Sequence, residues 1–161
     1  MDYRHATVDD IDALQRVAQR SWEQDYPAIV SRESIVEGVH EWYSDDRLEA
    51  DIRAADTSVL VAADGDTVVG FAHGIVDDDT GTLMRVYVDP DHRGDGVGRA
   101  LVEYAMDDFE TRGVDRVESM VLTANEPGNA FYHRLGFEQV QRATTTIGGE
   151  SYDENIYLKL L

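Results

Sequence analysis

A glycine-rich segment, residues 86–101, has the residue types and the spacing of an anion-binding loop. A strand-like Val-Tyr-Val sequence leads through the loop into a helical pattern, and the loop contains Gly94, Gly96 and Gly98. Amides that carry no bulky side chain can converge on an anion at the positive end of a helix. Arg93 and Arg99 flank the glycines and can form charge-assisted hydrogen bonds with phosphate oxygens. The segment therefore predicts a phosphate site.

The spacing of the glycines separates the kinds of phosphate loop. A Walker loop requires Gly-Lys-Ser or Gly-Lys-Thr, and the only lysine of the chain is Lys159. A dinucleotide loop has the pattern G-x-G-x-x-G, whose third glycine is replaced here by Leu101, counted from Gly96, or by Val97, counted from Gly94. A nucleotide-binding oxidoreductase stays an alternative. So does a turn that only lets a helix pack closely on a strand.

A second segment, residues 125–137, combines a helix start with aromatic residues. Asn125 can cap a helix, and Gly136 suits a left-handed helix end. Tyr132 is the residue that could do chemistry, because a phenol can give a proton to a leaving group. Packing is the alternative role for this tyrosine. Two further aromatic residues are expected in the core, Phe131 and Phe137.

Together, the two segments resemble the coenzyme A signature of the Gcn5-related N-acetyltransferases. Arg93-x-x-Gly96-x-Gly98 follows a Val-Tyr-Val-x-Pro strand, and the asparagine-led segment comes next in the expected order. The resemblance covers residues 58–141 and implies acetyl-coenzyme A as the donor. The loop amides would hold its pyrophosphate, and the preceding strand would pair with its pantetheine arm. The implied cofactor-binding residues are Val86, Tyr87, Val88, Arg93, Gly94, Asp95, Gly96, Val97, Gly98, Arg99 and Asn125.

The resemblance assigns the catalytic role to Tyr132. In this family a neutral amine attacks the thioester directly in a ternary complex, so the absence of cysteine is no obstacle. Tyr132 would protonate the departing thiolate, and a backbone amide of Val86 or Val88 would stabilise the oxyanion. No general base is assigned. Glu118 is a carboxylate in an apolar strand, but it equally suits an outward-facing position, and an acidic residue acting through water is also open.

The acceptor is expected to be a small-molecule or protein amine. The first helical segments contain four aromatic residues, Trp22, Tyr26, Trp42 and Tyr43. Their rings could present their faces to a cation, or could simply pack into the core. The order of these segments and the C-terminal hairpin resemble bacterial polyamine acetyltransferases. A protein N-terminus, a lysine side chain, an aminoglycoside and an amino acid stay open. A non-catalytic acyl-coenzyme A sensor on the same fold is a further alternative, which the intact Tyr132 disfavours.

The composition is strongly acidic. There are 33 acidic and 14 basic residues, a formal net charge of −19. This acidity, with arginine in place of lysine, favours a solvated, halophilic surface, and an acidic pocket for a cationic substrate is the alternative. An acidic tail is disfavoured because the acids are spread along the chain. No basic patch predicts nucleic-acid binding, no apolar run is long enough for a membrane span, and no cysteine or histidine motif predicts a metal site. The sequence shows no signal peptide, so we expect a cytoplasmic protein, with a homodimer left open.

Hydrophobic patterning predicts a single α/β domain over residues 1–161. Strands are expected at 3–7, 58–63, 67–76, 82–88, 117–122, 137–147 and 151–160. A capping box at Thr7 and Asp10 should start the first helix, and further helices are expected near 35–43, from 44, and at 97–112 and 128–135. The second helix should bury one face, Ile35, Val36, Val39, Trp42 and Tyr43. With the resemblance, this order implies an acetyltransferase-like sandwich with a mixed sheet of about seven strands, splayed at the cofactor site, and helices on both faces.

Overall fold

The computed structural model describes all 161 residues. Seven strands form one sheet: β1 (Asp2–His5), β2 (Thr57–Asp64), β3 (Thr67–Asp77), β4 (Thr80–Val88), β5 (Arg116–Leu122), β6 (Glu138–Ile147) and β7 (Glu150–Leu160). The five helices are α1 (Ile11–Asp25), α2 (Arg32–Trp42), α3 (Asp45–Arg53), α4 (Val97–Thr111) and α5 (Glu126–Arg134). Short 3₁₀ turns occupy Val8–Asp10 and Pro90–His92. Every predicted strand and helix is present, with ends shifted by a few residues.

The sheet separates between its two parallel strands. Its order is β1-β2-β3-β4-β5-β7-β6, and only the β4–β5 pair is parallel. That pairing runs from Thr80 opposite Arg116 to Leu83 opposite Ser119 and then stops. Both strands continue beyond this point, so a gap opens between their C-terminal ends. The predicted splayed sheet is therefore confirmed.

A β-bulge on β4 lies beside the start of the gap. On the β3 side, His73 pairs with Arg85 and Gly74 pairs with Leu83, so Met84 is the extra residue. A bulge shifts the alternation of side chains along the strand. Leu83 and Val86 consequently both face α4, whereas Arg85 and Tyr87 lie on the opposite face of the sheet.

Helices cover both faces of the sheet, as predicted. One buried cluster lies between the sheet and helices α4 and α5, and the other lies between the sheet and helices α1 to α3. Phe109 of α4 packs directly on the strands, since a Cβ atom at Gly74 or Gly81 would come within 2.4 or 2.8 Å of its ring. Bulkier residues at these two positions would push α4 off the sheet.

The predicted capping box is present, but one predicted core residue of α2 is wrong. The Asp10 carboxylate accepts the Thr7 amide at 2.8 Å and also binds Arg4, whose hydrogen bonds hold the pKa of Asp10 below its usual range. On α2, Val36 is 64% exposed. Gly38 faces inward instead, because a Cβ atom there would lie 2.6 Å from the Trp22 ring.

Candidate active site

A cleft of about 670 Å³ occupies the gap between β4 and β5. Its walls come from both faces of the sheet, so it passes between the two buried clusters. Ten of the predicted cofactor-binding residues line the cleft: Val86, Tyr87, Val88, Arg93, Gly94, Gly96, Val97, Gly98, Arg99 and Asn125. Tyr132 lines it too. The structure thus brings the two sequence segments to one site.

The glycine loop leaves the N-terminus of α4 open. Gly94 and Gly96 have φ angles of +89° and +81°, a left-handed conformation that glycine adopts without strain. Gly96 is the N-cap and provides no side-chain cap, so the first amides of this 15-residue helix have no intrahelical acceptor. Free amides at the positive end of a helix are suited to bind a phosphate group.

Both loop arginines are bound to carboxylates. Arg93 Nη2 lies 3.0 Å from Asp25 Oδ2, and Arg93 Nε donates to the Val88 carbonyl at 3.1 Å. Arg99 Nε lies 3.0 Å from Glu103. A phosphate that binds in the loop would therefore have to replace Asp25 and Glu103 as the partners of these arginines.

Asp95 is the one predicted cofactor residue that is not in the cleft lining, and its predicted contribution, a backbone amide of the loop, stays a prediction. It lies in the loop, but its side chain is exposed and does not line the cleft. A carboxylate turned toward the open helix end would repel a phosphate. His92, which precedes the loop, does line the cleft, and its buried Nδ1 has no hydrogen-bond partner.

The backbone of β4 presents alternate amides to the gap. The Asp89 amide donates to the Val69 carbonyl of β3 at 2.7 Å. In antiparallel pairing the direction of the backbone groups alternates, so the amides of Val86 and Val88 point away from β3, toward the gap. The Val88 carbonyl also accepts the Ser21 hydroxyl at 3.3 Å. An extended ligand arm in the gap could pair with this edge.

Tyr132 lies where the two strands part. Its side chain is buried against Phe137 and Tyr157, and burial raises its pKa to about 12 although a hydrogen bond with Ser119 opposes the rise. Ser119 belongs to the last β4–β5 pair and donates to the Leu83 carbonyl at 2.9 Å. The phenol is therefore protonated throughout the neutral pH range.

The predicted helix cap at Asn125 is present, because its Oδ1 accepts the Gly128 amide at 3.1 Å at the start of α5. Asn125 also lines the cleft, and its contact with the cofactor stays a prediction.

Aromatic residues form the wall on the α1–α2 side. Trp22, Tyr26 and Trp42 line the cleft, whereas Tyr43 is buried behind them and does not. The Tyr87 hydroxyl accepts hydrogen bonds from the Trp22 indole at 2.8 Å and from the Tyr43 hydroxyl at 3.1 Å. This network fixes the rings. Tyr87, predicted on the cofactor side, thus directs its side chain into this wall.

Four charged residues of the cleft lining were not predicted: Asp25, Arg85, Arg134 and Glu154. Arg85 lies with its guanidinium carbon 4.6 Å from the centroid of the Trp42 ring. Glu154, on β7 opposite Leu122, is with Asp25 one of the two acidic residues in the lining, and burial raises its pKa. Glu118, the carboxylate considered from the sequence, does not line the cleft. A lone charge in an apolar strand, the signal that drew attention to Glu118, applies equally to Arg85.

The comparisons with known proteins agree with this geometry. Residues 12–137 match the model of the Acetyltransferase (GNAT) family. The chain belongs to this family, so it is an acyltransferase that uses acetyl-coenzyme A. The oxidoreductase and sensor alternatives are not supported.

Relatives of known activity act on different amines. A spermidine N(1)-acetyltransferase of Thermoplasma acidophilum is 26% identical over 142 residues, which are 86% of this chain and 88% of that enzyme. A [ribosomal protein bS18]-alanine N-acetyltransferase of Escherichia coli is 41% identical over 61 residues, which are 38% of this chain and 41% of that enzyme.

Among solved structures, the PaiA N-acetyltransferase of Thermoplasma acidophilum in complex with coenzyme A superposes with a TM-score of 0.85 at 26% identity, covering 95% of this chain and 96% of that one. None of the helices in the present structure is long and apolar enough to cross a membrane.

Proposed function

We propose that this enzyme transfers the acetyl group of acetyl-coenzyme A to a primary amine, of a small molecule, a polyamine or a protein, by direct attack in a ternary complex. The observation that carries the proposal is the continuous cleft. It runs from the open N-terminus of α4 past Tyr132 to a second, aromatic wall. Donor and acceptor can enter from opposite faces of the sheet and meet in the gap.

The proposal gives the cofactor the glycine-loop side of the cleft. The amides at the start of α4, with Arg93 and Arg99, hold the pyrophosphate through charge-assisted hydrogen bonds. The pantetheine arm pairs with the free backbone edge of β4 at Val86 and Val88. This places the thioester near the point where β4 and β5 separate, beside Tyr132.

The chemistry follows from the groups around that point. The amine nitrogen attacks the thioester carbonyl, and a β4 amide that points into the gap stabilises the oxyanion. As the C–S bond breaks, the Tyr132 hydroxyl hydrogen-bonds to the leaving sulfur and delivers its proton. The nitrogen loses a proton to solvent as the intermediate collapses to the amide, and the phenolate regains a proton from solvent. The products are the N-acetylated amine and free coenzyme A, and no covalent enzyme intermediate is required.

Glu154 is the proton acceptor in this proposal. An alkylamine with a pKa near about 10 is mostly protonated at neutral pH and must lose a proton before it attacks. The other lining carboxylate, Asp25, is bound to Arg93, whereas Glu154 forms no ion pair and lies in a partly buried position that raises its pKa. A raised pKa makes a carboxylate a stronger base, acting directly or through one water.

The proposal is tested with an amine panel and acetyl-coenzyme A, by following free thiol and the mass of the products. The panel contains diamines, spermidine, amino acids and peptides with a free N-terminus. We expect acetylation of at least one class, and Glu154→Gln should lower kcat and remove the acidic limb of its pH profile. Glu118→Gln, which also removes a carboxylate from the sheet but lies outside the cleft, serves as the control. Retained coenzyme A binding without turnover of any amine would contradict the proposal.

A further inference from the structure

An arginine without an ionic partner lines the acceptor wall of the cleft. The guanidinium of Arg85 lies over the rings of Trp42, at 4.6 Å, and Tyr43, at 5.6 Å. Its Nε is buried and has no hydrogen-bond partner. Arg85 takes part in none of the ion pairs of the protein, the longest of which has an N–O distance of 3.9 Å.

Seven of the 14 lysine and arginine side chains form ion pairs, and among the seven that do not, Arg85 alone has a buried nitrogen without a hydrogen-bond partner. A buried cation without a counter-ion is costly, so such groups are normally paired. The charged groups near Arg85 are Asp51 and Arg47 of α3 and His73 of β3. Asp51 lies within 3.8 Å of His73 and is also attracted by Arg47, so it does not serve Arg85 alone.

The surroundings of Arg85 keep it charged and place it over aromatic rings. Burial lowers its pKa, but Tyr43, Tyr87 and Asp51 together more than offset this effect, so the pKa is raised. The guanidinium lies in cation–π contact with both rings, and Arg85 lines the cleft, from which a bidentate partner can approach it. Because Arg85 already occupies the faces of Trp42 and Tyr43, these rings do not form a cage for a cationic substrate.

We propose that Arg85 binds a carboxylate of the acceptor, so that the enzyme acetylates an amine that also carries a carboxylate, as amino acids and related compounds do. This inference rests on the proposed function. A carboxylate matches the fork of a guanidinium in charge and geometry. It supplies the counter-ion that the protein lacks at this position, and Arg85 disfavours a substrate that carries only positive charge.

Matched pairs of amines test this proposal, because each pair differs by one carboxylate: L-lysine with cadaverine, L-ornithine with putrescine, and 4-aminobutyrate with propylamine. We expect the wild-type enzyme to prefer the carboxylate-bearing member of each pair by roughly 10- to 100-fold in kcat/KM. Arg85→Gln should remove the preference while coenzyme A affinity and the melting temperature stay close to wild type. Arg85→Lys should retain part of it. Arg47→Gln is the control and should keep the full preference. Arg47 also lies near Asp51 and His73 but does not line the cleft.

Two results would overturn the assignment of Arg85: a preference of the wild-type enzyme for the amines without a carboxylate, or an equal loss of kcat/KM on both members of a pair in Arg85→Gln. If no amine is turned over, the proposed function fails, and the assignment is then decided by calorimetry. L-lysine and cadaverine are titrated separately into the complex of the protein with coenzyme A. Tighter binding of L-lysine that is lost in Arg85→Gln supports the carboxylate site, and equal affinities reject it.

Discussion

Arg93, at the edge of the glycine loop, is bound to Asp25, the last residue of α1. This ion pair lies where the proposal places the cofactor's pyrophosphate, so the phosphate and the carboxylate compete for one guanidinium. Cofactor binding is therefore expected to replace the Asp25 carboxylate at Arg93.

Removal of the Asp25 charge should strengthen cofactor binding. In Asp25→Asn the guanidinium loses its competing partner and the pyrophosphate loses a nearby negative charge, so we expect the Kd for coenzyme A to fall by about 3- to 10-fold in low salt. The gain should shrink in molar salt because of screening. Glu23→Gln, which removes an acidic charge from the same helix outside the cleft, is the control. Weaker binding in Asp25→Asn would show that the carboxylate positions Arg93 instead of competing for it.

The loop itself is tested with Gly96→Glu. This change places a side chain and a negative charge at the open end of α4, and we expect acetyl-coenzyme A affinity by calorimetry to fall by at least about 100-fold. Gly113→Glu is a matched control, because Gly113 has a φ angle of +82°, close to the +81° of Gly96, and open space around its Cβ position. The two variants therefore carry the same backbone strain. Equal affinity in both would remove the loop from the cofactor site.

The sequence predicts the cofactor half of the site better than the acceptor half. The glycine loop and the Asn125 helix cap are local features, so spacing along the chain is enough to place them. Arg85 depends on the bulge at Met84. Strict alternation from Leu83 would turn Arg85 toward α4, and the extra residue turns it to the other face. Glu154 reaches the cleft only through its register opposite Leu122 on β5. Neither the bulge nor this register can be predicted from the local sequence pattern, because both depend on how the strands pair.

Acid should destabilise the protein through His73. Burial lowers the pKa of this histidine from 6.5 to about 4, so the unfolded chain binds its proton at a higher pH than the folded protein does. Stability that is fully present above pH 6.5 is therefore lost as the pH falls toward 4, by about 2 kcal/mol between pH 8 and pH 5. Urea unfolding at the two pH values measures this loss. It should be smaller in His73→Gln and unchanged in His40→Gln, an exposed histidine; equal losses in all three proteins would rule out His73 as the cause.

Salt should stabilise the protein into the molar range if the acidic composition is a halophilic adaptation, as we propose. With a net charge of −19, the acidic groups repel one another over roughly 30 Å at 0.01 M salt but over only about 3 Å at 1 M. We expect the melting temperature to rise with potassium chloride up to at least about 1 M, and to rise less with an equal concentration of sucrose, which screens no charge. A melting temperature that is flat or falls with salt would point to another purpose for the acidity.

The decisive test of the chemistry is Tyr132→Phe, which keeps the ring and deletes the proton donor. If the phenol protonates the departing thiolate, the single-turnover rate should fall by about 100-fold or more while cofactor affinity barely changes. Single-turnover rates are required because slow product release can hide the loss in kcat. With a pKa of about 12, Tyr132 keeps its proton below about pH 11, so the wild-type rate should show no alkaline fall from this group in the usual range.

The matched control for this variant is Tyr157→Phe. Tyr157 is fully buried, stacks on Tyr132 at 5.8 Å between ring centroids and lies outside the cleft lining, so the change removes a neighbouring buried hydroxyl without touching the proposed donor. Its melting temperature should fall because the hydroxyl binds Asn129, whereas its single-turnover rate should stay within a few-fold of wild type. A packing role for Tyr132 predicts the same pattern in both variants. A wild-type single-turnover rate in Tyr132→Phe would end its assignment as general acid, and the fold and the cofactor would be unaffected.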